Sequence, residues 1–92
     1  VKKPIDVAWM FPQFEQVRDP ELKRKTIEIW NELWAMSEFD DIETVPTSGD
    51  IATPNLPHSR SVLTMCLSVA DSFEHHHGVQ VDRDVLIVAA IL

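Results

Sequence analysis

His58 is the residue of this chain best placed to do chemistry. It follows Pro57 and heads a stretch in which Val62, Cys66, Val69 and Phe73 recur at helical intervals. At about 100° per residue, His58 projects onto the same stripe. A histidine in the first turn, in line with an apolar stripe, is expected to point inward. There a neutral imidazole can ligate a metal ion. The plainer use of such a residue is a hydrogen-bonded core histidine. Arg60 is two residues on and so about 200° around the helix, which predicts a surface residue that pairs with a nearby carboxylate. The tract His75-His76-His77 has the composition of a metal site but not its geometry. Consecutive helical residues diverge by about 100°, so the three cannot converge on one ion. Cys66 is on the apolar stripe with no base at hydrogen-bonding spacing, so it is expected to be a small core residue. Asp71 and Glu74 share a face but have no third ligand beside them, and are expected to be solvated. The sequence contains no phosphate-binding glycine loop, paired cysteines, His-Glu-x-x-His or Gly-x-Ser-x-Gly.

The elements that must position these residues are helical. Asp19-Pro20-Glu21 is a helix start, with Asp as the N-cap and Pro at the first helical position. The helix is predicted over 20–37. Leu22, Thr26, Ile29, Leu33 and Met36 share one face, and Ile27, Trp30 and Trp34 widen it. Before it, Pro4 to Phe14 carries Trp9, Met10, Phe11 and Phe14 and is predicted to be an irregular or short helical lead-in packed on the domain. Residues 40–57 hold Pro46, Gly49, Pro54 and Pro57 without clean alternation, and are predicted to be a loop without strands. A second helix is expected over 58–77, stopped by Gly78. A third is expected over 83–92, capped by Asp82. From Val85 on it is apolar on every side, as in helices surrounded by other helices. Trp30, Leu33, Val69, Phe73, Leu86 and Ala90 are expected in or near one core. The run Val85 to Leu92 contains no Gly, Pro, Lys or Arg. It is expected to be covered by the remainder of a longer polypeptide or by a homo-oligomer partner.

Composition bounds these readings. The chain has 92 residues, enough for a single α-helical domain: 1–57 an aromatic-rich helical segment and loop, 58–92 the start of its core. Its net charge is −7, which argues against a duplex nucleic acid or an anionic membrane surface as partner. A single cysteine excludes an internal disulfide framework and fits a reducing, cytoplasmic setting. No apolar run approaches the roughly 20 residues of a membrane span.

The order of features from His58 onward resembles the opening of the HD-domain superfamily. His58-Ser59-Arg60-Ser61-Val62-Leu63 is followed by a helix, then Gly78, Val81-Asp82 and Asp84 through Leu92. The resemblance implies an all-α, HD-domain-like helical bundle, incomplete in this chain, and a metal-dependent phosphohydrolase. His58 would be the first metal-binding histidine. An adjacent His-Asp pair and a later Asp, the family's other ligands, are not among these residues. Two imidazoles and two carboxylates would hold a divalent ion (Mn, Fe, Mg, Co or Ni) that lowers the pKa of bound water. The implied substrate is a small phosphate mono- or diester, possibly a nucleotide. The competing expectation is a non-catalytic HD-like helical regulatory or interaction module. With His58 alone, the 92-residue chain is expected neither to hold a catalytic ion nor to be active.

Overall fold

The computed structural model describes residues 2–48 and 51–92. It is mostly helical, with one small β-hairpin. Helix α1 (Val7–Met10) leads into a 3-10 turn at Pro12–Gln16 and then α2 (Pro20–Met36). A second 3-10 turn at Ile42–Thr44 precedes strands β1 (Pro46–Ser48) and β2 (Ile51–Pro54), and then come α3 (Asn55–His77) and α4 (Arg83–Ile91).

The helix ends follow from local chemistry. Asp19 accepts from the amides of Glu21 and Leu22 at the start of α2, and Asp82 accepts from the amide of Val85 at the start of α4. Each carboxylate satisfies amides that have no partner inside the helix. Gly78 ends α3 in the left-handed region at φ +66°, where a Cβ would be strained. Helix α3 starts at Asn55, three residues before the predicted His58. Pro57 does not stop it, because a proline amide in the first turn would be unpaired anyway.

The stretch predicted to lack strands contains the antiparallel hairpin. Pro46 pairs with Pro54 and Ser48 with Ile51. Thr47 Oγ1 donates to the Thr53 carbonyl at 2.8 Å, and the Asn55 amide donates to the Val45 carbonyl at 2.7 Å. Pro46 and Pro54 face each other at the open end of so short a pair, and prolines argue against strands in a sequence.

The core is built from the lead-in, α3 and α4. Val7, Met10, Phe11, Phe14 and Val17 pack with Leu56 and Leu63 of α3 and with Ile87, Val88 and Ile91 of α4. Burying one such side chain contributes about 1.5–3 kcal/mol. Helix α2 lies to one side. Its Trp30 ring sits 6.0 Å from Phe11. Lys2 ties the lead-in to the end of α2, donating to the Trp34 carbonyl at 3.0 Å with its ammonium 4.2 Å from the Trp34 ring.

Three of the expected core residues are on the surface. Leu33 is 57% exposed, Val69 54% and Phe73 49%. Of the others, Trp30 and Ala90 pack against the core, and Leu86 is half-buried. In α2 the buried row is Leu22, Thr26, Trp30 and Trp34, which leaves Ile29, Leu33 and Met36 bare. Thr26 can be buried because its hydroxyl donates to the Leu22 carbonyl at 2.8 Å. In α3 the buried residues are Leu56, Leu63 and Ala70, spaced seven apart. This row is about 100° around the helix from the expected stripe of Val62, Cys66, Val69 and Phe73. Helix α3 thus has two apolar sides, and the core uses one. Helix α4 is likewise not surrounded: Val85, Ala89 and Leu92 are exposed.

Candidate metal centre

His58 sits in the first turn of α3 with its side chain exposed, not on the inner side as expected. It lies about 120–140° around the helix from Leu63 and Ala70, on the same side as Val62, Met65 and Val69. The projection onto the stripe of Val62, Cys66, Val69 and Phe73 is therefore correct, but Val62 and Cys66 are only half-buried and Val69 and Phe73 are exposed. Among the described residues, no hydrogen bond engages the imidazole of His58.

Helix α4 doubles back along the opposite side of α3. Arg83, at its start, pairs with Glu74 and with Asp71, the latter at 2.8 Å. Asp71 and Glu74 are thus not simply solvated: they clamp the α3–α4 turn. Arg83 holds the Glu74 carboxyl below the usual carboxylate range, helped by the Val81 amide at 3.0 Å. From Arg83 the chain runs toward the N-terminal end of α3, so the far end of α4 lies nearer the level of His58 than its start does.

Arg60 is also not the surface ion-pair residue predicted. Its Nε donates to the Met10 carbonyl at 2.6 Å and its Nη2 reaches the Trp9 carbonyl at 3.4 Å. The guanidinium lies 5.4 Å from the Trp9 ring centroid. The end of a helix has free carbonyls, and a guanidinium is a strong donor to them. Sequence spacing correctly separated Arg60 from His58 but could not show that α1 lies beneath it.

Asp84 has a role that its first-turn position alone did not reveal. Its two carboxylate oxygens accept from the amides of Arg18 (2.9 Å) and Asp19 (2.8 Å). These bonds hold its pKa below the ordinary aspartate value and join α4 to the N-terminus of α2. A cleft of about 760 Å³ lies here, lined by Glu15, Arg18, Glu74, Arg83 and Asp84 among others. Within it Glu74 pairs with Arg83, and Asp84 accepts from backbone amides.

Cys66 is half-buried and free. His75, His76 and His77 are all exposed at the end of α3. The His75 and His76 rings meet edge to face at 4.7 Å, and His77 lies against Phe73 at 5.3 Å. Among the described residues, no group of three or more His, Cys, Asp or Glu could hold a metal ion. A hydrolytic metal needs several protein ligands, so these residues alone do not make a metal centre.

No protein-family model, curated protein or solved structure matches this chain. Among the described residues no helix is long and apolar enough to cross a membrane.

Proposed function

We propose that this helical unit belongs to a metal-dependent phosphohydrolase of the HD type and contributes His58 as one ligand of its divalent ion. The observation that carries the reading is the place of His58 in the first turn of a long helix that Gly78 ends, although its side chain is exposed and not turned inward as a ligand role predicts. It heads the His-Ser-x-x-Val stretch on which the resemblance rests. The local architecture supports the same reading. Helix α3 stops at a left-handed Gly78, Asp82 caps the next helix, and that helix is the apolar α4.

On this reading the remaining ligands come from residues other than these 92. Once bound, such an ion supplies a more acidic water and a positive charge beside a phosphoryl oxygen. The substrate class is a small phosphate mono- or diester. The chain's own contribution is to hold the His58 turn in place, through Leu56 in the core and Arg60 on the Met10 carbonyl.

The bare sides of α2 and α3 favour a second reading, a non-catalytic helical interaction module. Metal analysis separates the two. The protein expressed from its native gene is compared with His58→Ala for bound transition metal and for Mn²⁺-dependent hydrolysis of a generic phosphodiester. Loss of both in the variant, with the helical spectrum unchanged, supports the hydrolase. Metal content and hydrolysis unchanged in the variant remove His58 from the centre, and no metal or hydrolysis in either protein favours the module.

A further inference from the structure

We infer that α2 is a flap, hinged at its first turn and held shut by an extended strap, residues 2–5, whose Lys2 latches its far end. Apolar packing does little to hold this helix. The main buried cluster takes no residue from α2, and only Leu22 and Trp30 flank it. Of the 17 residues of α2, only Thr26 and Trp34 are buried. Trp34 is not part of the main cluster. It borders a hollow walled by Lys2, Pro4, Ile5 and Ile42, so its cover comes largely from the strap.

The ties that hold α2 are polar. Midway along it, the Ile5 amide donates to Asn31 Oδ1 at 2.7 Å. At its end, Lys2 Nζ donates to the Trp34 carbonyl at 3.0 Å and to Ser37 Oγ at 2.8 Å. Carbonyls in the last turn have no partner inside the helix, and a cation suits that end of its dipole. The register is that of an extended chain running against the helix. Asn31 to Ser37 rises about 9 Å, and Ile5 to Lys2 spans about 10 Å when extended. Residues 2–6 form no helix or strand.

One buried group favours opening. Among the described residues, the Trp30 Nε1 donor is buried with no hydrogen-bond partner. Lifting α2 lets water reach it and restores the bond that closure forgoes. The two ends of α2 are held differently, which places the hinge. Before it, Val17 is buried in the core and Asp84 holds the next two amides. Beyond it, residues 37–41 lie outside any helix or strand and supply slack. Opening therefore raises the half from Trp30 to Ser37 off Phe11, while α3 and α4 stay packed on the lead-in. No residue of the flap or the strap is a proposed metal ligand, so the inference does not rest on the metal reading.

Native-state hydrogen exchange of the protein expressed from its native gene tests it. The amides of residues 30–36 are compared with those of residues 63–70 in α3. The expected result is faster exchange in 30–36, through an opening that leaves 63–70 protected. Lys2→Met keeps most of the side-chain stem but removes the charge. It should speed exchange in 30–36 at least about tenfold, the least that a bond from a charged group is worth, and leave 63–70 unchanged. Asn31→Ala should also speed it, although alanine is the better helix former. Lys3→Met, at an exposed position in the strap, should change nothing. Equal exchange of the two stretches in the wild type overturns the flap. Exchange in 30–36 that is indifferent to both Lys2→Met and Asn31→Ala overturns the strap, and so does an increase shared equally by 63–70.

Discussion

Replacing Arg60 with alanine should destabilise the fold, because it removes the hydrogen bonds from α3 to the end of α1. Arg60 Nε donates to the Met10 carbonyl at 2.6 Å in a partly buried setting. A hydrogen bond to a charged group contributes about 1.5–3 kcal/mol net. The contact to the Trp9 carbonyl is 3.4 Å and adds little. The stack on the half-exposed Trp9 ring, at 5.4 Å, adds about 0.5–1 kcal/mol. Arg60→Ala should therefore cost about 2–4 kcal/mol, which for a domain of this size lowers the melting temperature by roughly 8–32 °C. Arg60→Lys keeps one charged donor but loses the planar group, and should fall between wild type and alanine. Urea unfolding followed by tryptophan fluorescence and circular dichroism measures both. Arg24→Ala is the control, since Arg24 pairs with Glu21 and Glu28 on the exposed surface of α2 and such pairs contribute little. If Arg60→Ala shifts the midpoint no more than Arg24→Ala, the docking of α1 through Arg60 is refuted.

Two further perturbations test the core and the α2–α4 junction. Leu63 is fully buried, so Leu63→Ala should cost about 2–5 kcal/mol, while Leu33→Ala on the exposed side of α2 should stay within about 0.5 kcal/mol; equal losses in urea unfolding would contradict the assignment of the two sides. Asp84 has a lowered pKa in the folded chain because the Arg18 and Asp19 amides bind its charged form. Its contribution is present above the ordinary aspartate range and is lost as pH falls through the lower folded value. Thermal melts across that acid range should show Asp84→Asn less acid-sensitive than wild type, and identical pH profiles would remove Asp84 from the junction.

What the sequence determined by itself is local. The caps at Asp19 and Asp82, the stop at Gly78 and the divergence of His75, His76 and His77 each depend on neighbours within a few residues, so composition and spacing carry them. The position of His58 on the stripe of Val62 and Val69 was legible for the same reason, since helical phase is a local quantity. Which side of a helix meets the core is not local. Helix α3 has two apolar sides about 100° apart, and periodicity weights them equally. The lead-in and α4 pack on the Leu63 and Ala70 side, leaving His58, Val69 and Phe73 bare. In α2, the i±4 row of Thr26, Trp30 and Trp34 was taken over the equally apolar row of Ile29, Leu33 and Met36. The partners of Arg60, Asp84 and Glu74 are likewise set by which chain ends the fold brings together. Arg60 spans 50 residues to reach Met10, and Asp84 spans 66 to reach Arg18. Such contacts form only once packing has placed a free carbonyl or amide beside the side chain, so only the tertiary structure decided them.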